Sequence, residues 1–228
     1  MTAPMPQRYL GWMGFITALA LLSSCSILPA ETFEVYQLPP SSIAIATAPD
    51  RLPLTLHIAK ADSSRLTDSQ RVLILNQNNR VSAYKKVRWS DPPPVLLRKQ
   101  IASAFRADGR LSLVGENNPT LARDLELSGD LDAFYVEYSA GMPVAVIRFN
   151  AVLAQTARNR SIAARGFESR QPVEGKGMPA VIAAFGRGAD QVAREIIDWT
   201  IQHGSGIQAG ENEMPASAGR MNPPAEKP

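Results

Sequence analysis

The sequence holds one cysteine, Cys25, and two histidines, His57 and His203. A disulfide framework within the chain is therefore impossible. A His/Cys metal site is nearly excluded, because neither histidine has a partner at ligand spacing. Dense Lys/Arg blocks are also missing, and the formal net charge is only +3. Nucleic-acid binding has little support from such a distribution. Internal repeats are absent, and no cofactor motif stands out. What remains is an ordinary globular composition, 45% hydrophobic and 20% charged, sufficient for one domain with a real core.

The longest apolar stretch runs from Leu10 to Leu22, 13 residues, after a polar segment carrying Arg8. A helix needs about 20 such residues to cross a hydrocarbon core. The length and the small-residue exit instead fit the h-region and processing site of a secretory signal. Leu22-Ser23-Ser24-Cys25 resembles the bacterial lipobox, in which the cysteine thiol is acylated and becomes the first residue. The alternative is an ordinary signal peptide that happens to contain a cysteine. The boundaries expected are a signal peptide over 1–24, a tether over 25–31, a folded domain over 32–203 and a disordered tail over 204–228.

Within the domain, Leu52, Leu54, Leu56 and Ile58 alternate with Thr55 and His57, the pattern of a half-buried strand. Further strands are expected at 33–38, 72–75, 81–87, 111–114, 123–137, 143–155 and 161–168. Asn76-Gln77-Asn78-Asn79 reads as a hairpin turn, since asparagine tolerates positive φ. Asp91-Pro92-Pro93-Pro94 opens a first helix, with Asp91 as its cap, and Gly109 stops it. Along the strand at 143–155, Ala145, Ile147, Phe149, Ala151 and Leu153 share one face. The second helix carries the longest apolar stripe: Val181, Phe185, Ala189, Val192, Ile196 and Trp199. It is expected to end at His203, where glycines begin. The fold class implied is α+β, a mostly antiparallel sheet with two helices packed on one face.

Sites for chemistry are few. His57 falls on the outward side of its strand. Gly204-Ser205-Gly206 lacks the wider nucleophile-elbow pattern. Gly186-Arg187-Gly188 echoes a dinucleotide loop, but it sits inside a helix with Gln191 where a third glycine belongs. Asp130, Asp132 and Glu126 read as a solvated acidic edge rather than a calcium site. Arg88-Trp89 before the first helix has two readings: Trp89 packs under the helix start, or the pair contacts a partner.

These segments, in this order, resemble the ABC-type transport auxiliary lipoprotein family. The residues that carry the resemblance are Cys25, the early strand with Tyr36, Val87-Arg88-Trp89-Ser90-Asp91-Pro92, Leu125–Phe134 with Gly129-Asp130-Leu131, Arg165–Phe167, and Glu195-Ile196-Ile197-Asp198-Trp199. Together they span about 32–203. The early segment departs from the family pattern in ending Leu38-Pro39-Pro40 without the usual glycine, and the C-terminal tail is extra. The resemblance implies a non-enzymatic lipoprotein facing the periplasm, held in a membrane by palmitate-type acyl chains on Cys25. It further implies a partner, an Mce-domain protein with its permease and ATPase, moving lipid between inner and outer membranes, with homo-oligomers also open. Ser26 rather than aspartate after the cysteine favours the outer membrane in enteric-type sorting.

Other readings stay open beside this docking role. The domain could itself be a periplasmic lipid-binding carrier, or a structural lipoprotein of an envelope assembly. An envelope hydrolase has the least support, since no candidate nucleophile stands beside a histidine.

Overall fold

The computed structural model describes residues 31–44, 51–116, 123–139 and 141–212. Its elements lie in a unit that begins at Phe33. The lipobox residues Leu22, Ser23, Ser24 and Cys25 fall outside the described residues, as do the end of the 39–49 loop and the tail from 213 onward.

Among the described residues, nine strands and two α-helices follow one another in the order β1 (Glu34–Tyr36), β2 (Leu52–Ile58), β3 (Asp62–Ser63), β4 (Arg71–Leu75), β5 (Val81–Trp89), α1 (Pro93–Asp108), β6 (Leu111–Gly115), β7 (Leu125–Ser139), β8 (Met142–Gln155), β9 (Arg160–Pro172) and α2 (Gly177–Asn212). The α+β class holds. The expected antiparallel character is corrected: five of the eight strand pairings are parallel. The cause lies in β7. One of its edges pairs over 14 positions with β8, antiparallel. The other edge meets β2, β3 and β4 in succession, all parallel. A strand of 15 residues is long enough to serve three short neighbours end to end. Alternation in sequence gives the face of a residue but not the direction of its neighbouring strand.

Both helices cover the same face. Ala145, Ile147, Phe149, Ala151 and Leu153 of β8 are all buried there, and so is the whole α2 stripe from Val181 to Trp199. Leu97 and Ile101 of α1 meet Ile58 and Phe149 around a small cleft. Fully burying a side chain of this size is worth about 1.5–3 kcal/mol, and one contiguous cluster joins all of these residues. The opposite face of β7–β9 is polar and ion-paired. Arg148 meets Glu168 at 2.9 Å, and Arg170 meets Glu137 at 3.0 Å.

Local signals were kept or displaced for identifiable reasons. The turn at 76–79 forms with Asn78 and Asn79 at φ 68° and 58°. Gly109 ends α1 at φ 76°, its N–H donating to the Phe105 carbonyl at 3.2 Å, a C-terminal cap that glycine makes easily. Asp91 does not cap α1. Pro92 takes the cap position with no side-chain bond, and Asp91 instead pairs with Lys99 at 3.1 Å. The second helix does not stop at His203 but continues to Asn212. Gly204 is the reason. A Cβ there would lie 3.1 Å from Leu54 Cδ1, so the glycine brings the helix down onto β2 instead of ending it.

Candidate functional site

Trp89, the last residue of β5, is fully buried. Its ring stands edge-on to Phe134 at 5.6 Å and to Phe185 at 5.3 Å, and those two rings stack at 4.7 Å. Aromatic pairs of this kind add about 0.5–1.5 kcal/mol each beyond burial. The three rings tie β5, β7 and α2 together just ahead of α1. Trp89 is therefore a core anchor and is not available to a partner. Arg88 points the other way, over the exposed Phe33 ring at 5.4 Å, a surface cation–π contact.

A second constellation had no signature in the sequence. Asp190 on α2 is buried, yet among the described residues it has no basic partner. It accepts from the Ser42 N–H at 2.8 Å, from Ser42 Oγ at 2.6 Å and from Gln100 Nε2 of α1 at 2.8 Å. Burial alone would push its carboxyl up, but the hydrogen bonds from Ser42, Gln100 and Ser41 together outweigh it and hold the group below its ordinary value. The segment after β1 is thereby strapped across both helices. Gly186 completes the strap: a Cβ there would sit 2.8 Å from Pro39 Cγ. The Gly186-Arg187-Gly188 echo is thus a packing device, with a Cβ at Gly188 falling 3.3 Å from Ile147 Cδ1.

The end of the sheet carrying the β4–β5 and β7–β8 turns is apolar and open. Val81, Tyr138 and Met142 are exposed there, Met142 to 68%. Leu75 of β4 pairs with Val81 and with Glu137, and Tyr138 pairs with Pro143, which gathers these residues at one end. Burial, followed by a hydrogen bond with Tyr138, pushes the Tyr84 phenol up. This end presents aromatic and sulfur-bearing side chains to solvent, beside the Glu137–Arg170 ion pair.

The remaining candidates are placed as structure. His57 is half-buried, its imidazole pushed down by burial and by Arg123. His203 lies within α2, with Nδ1 2.8 Å from the Trp199 carbonyl, rather than at the helix end. Ser205 donates to the Ile201 carbonyl at 2.9 Å inside the same helix. Asp132 accepts from Asn150 Nδ2 at 2.6 Å. Among the described residues, no group of three His, Cys, Asp or Glu side chains could hold a metal ion. Among them, too, no helix is long and apolar enough to cross a membrane.

The model of the ABC-type transport auxiliary lipoprotein component family matches residues 36–197, from the β1 tyrosine to two residues short of Trp199. The chain belongs to this family. A solved protein of Xanthomonas campestris, described as DUF330, is 25% identical to it. That likeness covers 77% of this chain and 99% of the other, with a TM-score of 0.70. A protein described only as uncharacterized has a TM-score of 0.59 at 16% identity, over 74% of this chain and 98% of its own. A hypothetical protein of Chlamydia trachomatis reaches 0.50 at 8% identity, over 68% and 99%. These two share the fold alone. No curated protein matches the sequence. The family match spans the Trp89 anchor, the Asp190 strap and the open end at Met142, so all three belong to the lipoprotein domain.

Proposed function

We propose that this lipoprotein is the docking subunit of an Mce-type ABC lipid transport system, anchored at the outer membrane by acylated Cys25 and facing the periplasm. The observation that carries the reading is the family match across residues 36–197. The architecture supports it. The helix-covered face is occupied by packed core, and the aromatic, titratable and acidic candidates serve structure rather than catalysis. The role we propose is non-enzymatic. The open apolar end at Val81, Tyr138 and Met142 is the contact surface we assign to the Mce-domain partner, since exposed aromatic and methionine side chains are enriched where partners bind.

The test is capture from native membranes. The anchored chain, carrying a photo-crosslinker at position 142, should trap the Mce-domain protein of a transporter encoded with its ATPase and permease. The same probe placed at Arg148, on the ion-paired face, should not. Failure of any Mce-domain protein to co-purify or crosslink would overturn the reading.

A further inference from the structure

The edge strand β1 joins the sheet at one end of β5, where its three residues pair with Val87, Arg88 and Trp89. Val81, part of the docking surface assigned above, lies at the other end of β5. Successive residues of a strand point to opposite faces. Trp89 goes into the core with Tyr36 beside it, so Arg88 and its register partners Val35 and Arg71 share the face turned away from the helices. The Phe33 ring reaches the same place, with the Arg88 guanidinium 5.4 Å from its centre. Phe33 and Val35 stay 44% and 51% exposed, and Arg71 and Arg88 are exposed too.

A bulge adds further charge. From Arg71 to Leu73 β4 advances two positions, while the partners on β5 run from Arg88 back to Ala83, five positions. The surplus carries Lys85 and Lys86, both exposed, with Lys86 at φ 58°. Bulges bend a strand and re-aim its side chains. Among the described residues no carboxylate pairs with Arg71, Lys85, Lys86 or Arg88. The acids of the adjoining segment are Glu31 and Glu34, and Glu34 Oε2 accepts from the Tyr36 hydroxyl at 2.8 Å. Asp91 is taken by Lys99. Four cations against two carboxylates leave the patch positive, with two apolar side chains among them.

Phe33 is eight residues after Cys25, so covalent geometry keeps it within roughly 29 Å of that residue. A basic surface beside an acyl chain is an established second signal for membrane attachment, and aromatic side chains suit the headgroup boundary. Each Lys or Arg close to an anionic leaflet is worth about a fivefold change in partitioning. This attraction fades within about 8 Å at physiological salt, so it acts on the face that lies against the lipid.

We infer that the surface formed by Phe33, Val35, Arg71, Lys85, Lys86 and Arg88 rests on an anionic bilayer, the membrane that holds the acyl chains. The inference rests on the attachment through Cys25 proposed above, and not on the Mce-domain partner.

Depth-dependent quenching of the full chain tests it. A fluorescent amino acid is placed at Val35, or at Ala183 on the exposed side of α2 across the sheet. The chain is mixed with vesicles carrying nitroxide-labelled lipid, either pure phosphatidylcholine or an equal mixture with phosphatidylglycerol. Flotation on pure phosphatidylcholine reports the anchor alone, because that surface has no net charge. Quenching at position 35 reports the patch, and should be at least about threefold greater on the mixed vesicles. High salt should remove the excess, and position 183 should stay unquenched. Lys85→Gln, Lys86→Gln and Arg88→Gln together should abolish the excess without moving the melting temperature, since all three side chains are exposed.

Flotation with equal quenching on both vesicles, or an excess that survives the triple substitution, would overturn the inference and leave the anchor standing. Binding and quenching on the mixed vesicles alone would support the patch and refute the anchor. A position-35 signal that follows chain concentration without lipid would assign the surface to a second copy of the chain and overturn the inference. Absence of binding to either vesicle would overturn both.

Discussion

Asp190 holds Ser42 by two hydrogen bonds, at 2.8 Å to the backbone N–H and 2.6 Å to Oγ, across 148 residues of sequence. The same carboxylate takes Gln100 Nε2 on its other oxygen at 2.8 Å. One buried anion thus joins the segment that leads in from the N-terminal side to both helices of the domain.

That relationship makes stability acid-sensitive. The folded Asp190 carboxyl titrates below its ordinary value, so the unfolded chain binds the proton more readily. The stabilisation is fully present above the unfolded value of about 4, and it is lost as pH falls through the lower folded value. Asp190→Asn should remove this component: urea melts of the variant should show a flatter stability profile below about pH 4 than the parent. Asp190→Ala, which strands three donors, should cost about 2 kcal/mol at neutral pH. A profile unchanged by Asp190→Asn would refute the assignment.

Gly129 gives a harsher test at the centre of β7. Its φ is +147°, and a Cβ there would lie 1.9 Å from the Asn150 carbonyl oxygen. Both atoms belong to the long β7–β8 ladder, where Gly129 pairs with Ala151. Backbone cannot yield there without breaking the pairing on both sides. Gly129→Ala should therefore cost roughly 3 kcal/mol or more, visible as a large fall in denaturation midpoint. Gly206→Ala is the control, because nothing lies within 4 Å of a Cβ at that position. It should be neutral or slightly stabilising, as expected for a helical glycine.

Much of this was legible before the fold was known, for physical reasons. The β8 alternation and the α2 stripe are local periodicities, and burial enforces them, so their faces came out as expected. Gly109 announced the end of α1 because a left-handed cap needs only its own residue. The illegible features are the non-local ones. The parallel partners of β7 depend on which strands reach its free edge. Gly204 looks like a helix stop until Leu54 is seen beneath it. The Ser42–Asp190 clip has no spacing to betray it, and the pairing of Arg71 with Arg88 depends on a bulge in β5.

Trp89 separates the two readings that its sequence left open. As a core anchor, Trp89→Ala should leave a large cavity between Phe134 and Phe185 and cost about 3–5 kcal/mol. Trp89→Phe should cost less, because it keeps an aromatic ring and deletes Nε1, which is buried without a hydrogen-bond partner. Arg88→Ala should shift the melting temperature little, since it removes only a surface contact with Phe33. Equal effects of Arg88→Ala and Trp89→Ala on stability would contradict this division.

Cys25 lies outside the described residues and ahead of the described core, so its chemistry should separate cleanly from the stability of the domain. The chain's only thiol stands directly after Leu22-Ser23-Ser24, where lipoprotein processing requires it. Metabolic labelling with radioactive palmitate should mark the parent chain and leave Cys25→Ala unlabelled. Far-UV dichroism and the thermal midpoint of the domain should coincide in the two proteins, since the described core begins beyond Phe33. One acyl chain holds a protein to a bilayer only marginally, at roughly 0.8 kcal/mol per buried methylene, and stable anchoring takes a second. Loss of all acylation should therefore abolish function in transport even though the domain stays folded. A Cys25→Ala protein that is still labelled, or that supports transport normally, would show that attachment does not run through this thiol.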